Sequence, residues 1–170
     1  MTVIAPSLRV ESLSDRHHRD SFTSGVEGLD RYLRQQAGQE TRRRVTSCFV
    51  LVAGDDPAPI GYYTLAATSL ALTELPEALA KRLPRYPVVP ATLMGRLAVN
   101  ARHQGQGHGE LLLFDGFSRA LRSEIASYAF VVEAKDDQAV RFYQRYRFMP
   151  VVTGGRRLFV PIAEIAKLFS

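Results

Sequence analysis

Apolar residues along this 170-residue chain follow two rhythms. In SCFVLVA (47–53) and IGYYTLA (60–66) they form short runs rich in β-branched and aromatic side chains, which predicts two strands. GDDPAP between them is turn chemistry, so the pair predicts a hairpin. Leu8 to Ser12 predicts a short first strand ahead of it. From Gly25 the spacing changes. Val26, Leu29, Tyr32, Leu33 and Ala37 recur at helical intervals, predicting an amphipathic helix that ends near Gly38 or Gln39.

Residues 74–84 allow a short helix, and Pro84, Pro87 and Pro90 make the following stretch extended and irregular. ATLMGRLAVN (91–100) is a continuous apolar run, expected to be a strand buried on both faces. It runs into RHQGQGHGELLL, where three glycines occupy five positions. Leu111, Leu112, Phe114, Phe117, Ala120 and Leu121 then describe a helix reaching about Ser123. YAFVVEA (128–134) is another buried strand. Asp136 or Asp137 caps the helix DDQAVRFYQRYRF. FMPVV and RLFVPI are two last strands about the turn Thr153-Gly154-Gly155. This order predicts a mixed α/β (α+β) architecture in which helices flank a central mixed sheet, and residues 1–170 are expected to form one domain without repeats or linkers.

Composition narrows the function classes. At 46% hydrophobic residues the chain can bury a full core. Its first residues, MTVIAPSLRVESLSD, lack a basic leader and a long apolar core, and no run approaches the roughly 20 residues of a membrane-spanning helix, so a cytoplasmic protein is expected. The lone cysteine, Cys48, sits in a strand-like run and is expected to be a packed thiol. His17, His18, His103 and His108 lack metal-ligand spacing, and no metal is expected. Lys and Arg number 22 against 17 Asp and Glu, a net charge of +5 that favours anionic partners. That charge does not separate a nucleic acid from a phosphorylated cofactor.

The glycine stretch adds chemistry. A strand that ends in a glycine-rich turn and opens a helix gathers unpaired amide hydrogens and the positive end of a helix dipole, which suits a pyrophosphate. Gly105, Gly107 and Gly109 give neither the dinucleotide-binding fingerprint nor a P-loop. Instead Gln104-Gly105-Gln106-Gly107-His108-Gly109 resembles the Q/R-x-x-G-x-G/A signature of the GNAT acetyltransferase superfamily, preceded by the strand Arg96-Leu97-Ala98-Val99. Ala139 and the run from Phe142 to Phe148 look like that family's later motif. The stretches GLDRYL, GYYTLA, GRLAVN, GQGHGELLL and EAKDDQAVRFYQRYRF are similar to the acetyltransferase toxins of bacterial toxin-antitoxin pairs, which acetylate the amino group of an amino acid loaded on tRNA. The family usually has Gly where this chain has Arg147, a departure expected to touch a helix end and not the chemistry.

The resemblance implies a GNAT-like sheet and acetyl-CoA as acetyl donor. It places the pyrophosphate on the backbone of Gln104, Gly105, Gln106, Gly107, His108, Gly109 and Glu110, the pantetheine arm along Leu97, Ala98 and Val99, and Phe142 beside the coenzyme. Backbone amides of Leu97–Val99 would stabilise the thioester oxyanion, and Tyr143 would be the general acid. It further implies aminoacyl-tRNA as acceptor, a ribbon-helix-helix antitoxin as partner and a possible homodimer.

Elementary acid–base chemistry bears on the acceptor. A free α-amine has a pKa of about 7.7 to 8.0, so roughly a tenth is neutral at pH 7, against about one part in two thousand for lysine. Glu133, at the end of its strand, is the candidate base in the middle of the fold, or else a solvent-facing or hydrogen-bonded strand residue. Arg31, Arg34, Arg42, Arg43 and Arg44, with Arg85 and Arg96, are either a solvated face or a phosphate track for an RNA stem; no RNA-recognition module accompanies them. Protein N-termini, lysine and small-molecule amines remain alternative acceptors.

Overall fold

Seven strands and six α-helices alternate in the computed structural model, which describes residues 7–152 and 154–170. The first six residues, part of the stretch read for a leader, and Thr153 of the expected last turn lie outside the described residues. The chain gathers into two compact units, Met1–Leu65 with Arg96–Gly116, and Ala66–Gly95 with Phe117–Ser170.

In the first unit, β1 (Leu8–Ser12) pairs antiparallel with β2 (Ser47–Ala53), and β2 pairs antiparallel with the start of β3 (Asp56–Ala71). The strand order is β1-β2-β3-β4, with β4 spanning Val88–Val99. The hairpin turn is shorter and β3 longer than the sequence predicts. Pro57 and Pro59 read as breakers, but they lie where the register shifts between Leu51 and Ala53, and a strand irregularity is where a residue without an N–H does least harm. The strands pack against a bent helical segment: α1 (Glu27–Arg31), a π-helical turn (Tyr32–Gln36) and α2 (Ala37–Arg42). Leu33, Val50, Val52 and Tyr62 are fully buried between them, with Phe22 edge-on to Tyr62 at 5.6 Å.

That helical segment does not stop at Gly38, as expected, but runs to Arg42. Its end is set by Arg44, at φ +59. Val45 N–H reaches back to Glu40 O (3.0 Å) and Arg44 N–H to Thr41 O (3.1 Å), a Schellman closure with arginine where glycine is usual.

In the second unit the order is β3-β4-β5-β7-β6. Here β4 pairs in parallel with β5 (Ala129–Glu133), a connection made through α4 (His108–Arg122), and β5 pairs antiparallel with β7 (Arg157–Pro161), which also holds the two-residue β6 (Met149–Pro150). Short α3 (Glu77–Ala80) follows β3. Leu70, Ala129, Val131 and Phe159 are wholly buried in its core. The mixed α/β class is as expected.

Two further corrections concern β4 and the C-terminal end. Of β4's residues only Val89, Ala91, Met94 and Ala98 are buried and most of the others are half-buried, so this strand is less fully covered than expected. Ile162, read as the end of the last strand, instead begins α6 (Ile162–Leu168), anchored by the fully buried Ile165.

Candidate active site

The glycine turn starts where β4 ends. Asn100 N–H bonds Ile60 O at 2.7 Å and Ala101 N–H bonds Thr23 O at 2.8 Å. The Asn100 side chain accepts from Arg102 N–H at 3.1 Å, capping one 3-10 turn over Ala101–His103. Gly105 and Gly107 then take φ of +78 and +83. A Cβ on either would meet nothing within 4 Å, so it is the left-handed backbone and not crowding that requires glycine. Directly after them α4 begins at His108 and runs for 15 residues. Intrahelical bonding does not use the first amides of a helix, so the turn gathers backbone N–H groups at a positive dipole end.

Gln104 opens this turn with its side chain spent inside the fold. Nε2 donates to Ser24 O at 2.8 Å and to Val99 O at 2.9 Å. The His108 ring stands edge-on to His103, 6.1 Å between centroids. Burial, then the neighbouring His103, holds the His108 pKa below its ordinary value.

Upstream of the turn, Leu97 and Val99 are half-buried and flank buried Ala98. The ladder between β4 and β5 covers Ala91 to Met94, short of these three residues. Against them on the neighbouring strand lies Gly61, where a side chain would collide with the Ala98 carbonyl oxygen at 2.8 Å.

Tyr143 belongs to the second unit. It sits on α5 (Asp137–Gln144), whose N-terminus is capped by Asp136 accepting from Ala139 N–H at 2.8 Å, as expected. Its ring packs between Phe142 (5.2 Å) and Phe148 (5.3 Å), and the side chain is only 6% exposed. Burial pushes the phenol pKa well up, so the hydroxyl stays protonated across the physiological range. Phe142 is half-buried and lies edge-on to Tyr146 at 5.4 Å. The helix ends sooner than the sequence run suggests, and Arg147 adopts φ +71, the left-handed position its place in the motif anticipated.

The remaining candidates divide. Glu133 is exposed at the end of β5, the solvent-facing alternative. Cys48 is buried and its pKa is pushed up to about 12 by that burial, an inert packed thiol. Arg42, Arg43 and Arg44 are exposed together at the close of α2, Arg31 is exposed on α1, and Arg85 is exposed in the second unit. Arg34 is tied to Phe22 O at 2.8 Å. Arg96 lies 3.6 Å over the Tyr32 ring, and the Tyr32 hydroxyl donates to Glu40 at 2.8 Å. His17 is buried and bonds Glu11 Oε1 through Nε2 at 2.8 Å. No cluster of three metal-ligating side chains, and no helix long and apolar enough to cross a membrane, occurs among the described residues.

Sequence reasoning missed Asp115, a carboxylate inside the α4 pattern that accepts from the buried Tyr63 hydroxyl at 2.5 Å. Its only signal was an acid in the middle of an otherwise apolar stretch. The same holds for the π-helical turn, which leaves no mark on apolar spacing that a plain helix would not.

A strand feeding a left-handed glycine turn and a long helix, followed by a capped tyrosine-bearing helix, defines an acetyltransferase: residues 11–148 match the acetyltransferase (GNAT) family, and the chain belongs to it. A tRNA-acetylating toxin of Mycobacterium tuberculosis is 35% identical to it over 138 residues, covering 80% of this chain and 81% of the relative. Among solved structures, AtaT complexed with acetyl-methionyl-tRNAfMet is similar at a TM-score of 0.89 and 27% identity, over 96% of this chain and 100% of that one. A tyrosine-to-phenylalanine mutant of the AtaT toxin, bound to the C-terminus of the antitoxin AtaR and acetyl-CoA, gives a TM-score of 0.80 at 25% identity, over 96% and 98%.

Proposed function

We propose that this enzyme transfers an acetyl group from acetyl-CoA to the α-amino group of aminoacyl-tRNA, that it blocks translation in the cytoplasm as a toxin, and that an antitoxin restrains it. Likeness to a tRNA-acetylating toxin over 80% of the chain carries this reading. The AtaT complexes with acetylated tRNA, acetyl-CoA and AtaR support the acceptor, the donor and the antitoxin in turn. The ribbon-helix-helix class of that antitoxin, a homodimer and action as one domain are expectations of the sequence resemblance.

The glycine turn fits the donor. Two glycines in left-handed geometry, with open space where their side chains would be, lead into the first turn of a 15-residue helix, an arrangement of backbone N–H groups that suits a pyrophosphate. Gln104 to Glu110 would hold it, Leu97 to Val99 would offer strand edges to the pantetheine arm, and Phe142 would flank the coenzyme. Acetyl-CoA supplies an acyl group activated as a thioester.

The chain's own groups do the rest. Amides of the Leu97–Val99 strand are donors for the oxygen that becomes anionic. Tyr143 keeps its proton because it is buried, and so is a donor to the departing sulfur, not a base. The acceptor α-amine, about a tenth neutral at pH 7, needs no strong base, in keeping with the exposed position of Glu133. Arg42, Arg43 and Arg44, with Arg85, are the cations offered to RNA phosphates. Arg96 was expected among them; its stack on Tyr32 leaves only the guanidinium edge for that task.

Incubation with labelled acetyl-CoA and a mixture of charged tRNAs tests the proposal. Label is expected on the aminoacyl group. Label confined to protein lysines or to small amines would overturn the acceptor.

A further inference from the structure

The first unit holds a cavity of about 260 Å³ that the acetyl-transfer chemistry does not use. Ser21, Thr23, Asp56, Pro59, Arg102 and His103 are among the residues that line it. Backbone bonds tie its lining together: Asn100 is bonded to Ile60 of β3, and Ala101 to Thr23 of the segment leading into α1. The strand order of this unit puts β3 on the edge of β4 opposite the one that β5 takes farther along. Pairing of a pantetheine arm to the end of β4 would use the edge that β5 vacates, so this cavity is a separate place.

Its chemistry is that of a sugar-phosphate site. Arg102 is exposed, follows a cap that fixes its backbone, and has no ion-pair partner among the described residues. With the Ser21 and Thr23 hydroxyls, the Asn100 amide and the His103 ring it makes a donor-rich wall suited to phosphate oxygens. Asp56, also in the lining, is an acceptor positioned by taking Ala58 N–H at 2.9 Å, and acceptors of that kind suit ribose hydroxyls. The volume is below that of pockets for drug-sized ligands, enough for one sugar and its phosphate and far too small for a coenzyme.

We propose that this pocket, built around Arg102 and Asp56, takes one ribose-phosphate unit of the RNA acceptor and so anchors the substrate beside the glycine turn. It rests on the aminoacyl-tRNA reading for the identity of the RNA, and on the cavity alone for its chemistry. The contact is to backbone and sugar, so it fixes where the RNA lies without reading its sequence.

Binding of uncharged bulk tRNA to the full chain, followed by fluorescence anisotropy between 50 and 200 mM salt, tests it. Arg102→Ala is expected to weaken binding about fivefold and to lower the log–log salt slope by about one, the signature of one lost phosphate contact. Ala58→Leu, which partly fills the cavity, is expected to weaken binding by a similar factor with the slope unchanged. Calorimetric affinity for acetyl-CoA should match the wild type in both. An unchanged tRNA affinity in both variants, or a loss that falls on acetyl-CoA instead, would overturn the pocket. Acetylation of charged tRNA by the wild-type enzyme is scored separately: labelling with no effect of Arg102→Ala removes the pocket and leaves the function, whereas pocket-dependent binding without labelling removes the function and leaves the pocket.

Discussion

Gly61 and Ala98 face each other so closely that a methyl group on the first would lie 2.8 Å from the carbonyl oxygen of the second and 2.9 Å from a Leu112 methyl. Both obstacles are rigid, one being backbone and the other packed in a fully buried side chain. Gly61→Ala is therefore expected to destabilise by about 1–3 kcal/mol, a fall of several degrees in melting temperature. Because the displaced carbonyl belongs to the strand assigned to the pantetheine arm, KM for acetyl-CoA should rise as well. A variant that melts with the wild type would show that the two strands part without cost.

Gly107 poses the opposite case, with room for a side chain but a backbone at φ +83. Gly107→Ala is expected to cost about 1–2 kcal/mol in the bound geometry and to raise KM for acetyl-CoA about tenfold, with kcat nearly intact. Steady-state kinetics at saturating charged tRNA checks this. A drop in kcat with unchanged KM would move the turn's role from binding to chemistry.

Tyr143→Phe is expected to lower kcat by about a hundredfold or more while acetyl-CoA still binds. In the wild type, burial holds the phenol pKa above its ordinary value, so ionisation of Tyr143 removes the acid only at strongly alkaline pH. The rate should climb as the acceptor amine loses its proton near pH 8 and stay level to about pH 10. A descending limb between pH 8 and 9 that vanishes in the phenylalanine variant would contradict the shielding of this hydroxyl.

Arg147 bears left-handed strain at φ +71 and gives in return one exposed ion pair with Glu164 at 3.4 Å. Surface pairs of that kind contribute about 0–1 kcal/mol, less than the strain of about 1–2 kcal/mol. Arg147→Gly should raise the melting temperature by about 2 °C, with acetylation rates unchanged.

Glu11 supplies an acid-sensitive element. A hydrogen bond from His17, with further bonds from Arg16 and Arg9, outweighs burial and holds its pKa near about 2 instead of 4.5. A carboxyl depressed on folding adds stability above its unfolded value and loses it as pH falls from 4.5 toward 2. Glu11→Gln should destabilise by about 1 kcal/mol at pH 7 and converge with the wild type near pH 2, as followed by denaturant titration.

The elements legible in the sequence were those whose signals are local. Asp136 as a cap, the strand over residues 47–53 and the helix opening after Gly107 all follow from side chains acting on their own backbone. What stayed hidden depended on partners distant in sequence. Gly38 looked like a stop, yet the helix runs four residues further to Arg42 and closes on the left-handed Arg44, because the closing bonds come from Arg44 and Val45. Pro57 and Pro59 looked like loop, and only the register shift on β2 lets them join a strand. For the site, the glycine signature and Tyr143 could be read from the chain; the Ser21–Arg102 pocket wall, joined across about eighty positions, could not.

The pair of hydrogen bonds from Gln104 to the Ser24 and Val99 carbonyls accounts for the two residue types, glutamine and arginine, at the head of the signature. Glutamine and arginine share a planar end that gives hydrogen to two carbonyls in fixed directions, whereas the donors of lysine rotate on a flexible stem and an ionised glutamate has none. Position 104 thus works as a bracket that stitches the entrance of the first helix to the tip of a central strand. Loosening that bracket would unsettle two loops together, so the side chain at the head of the glycine turn shapes architecture without touching a ligand.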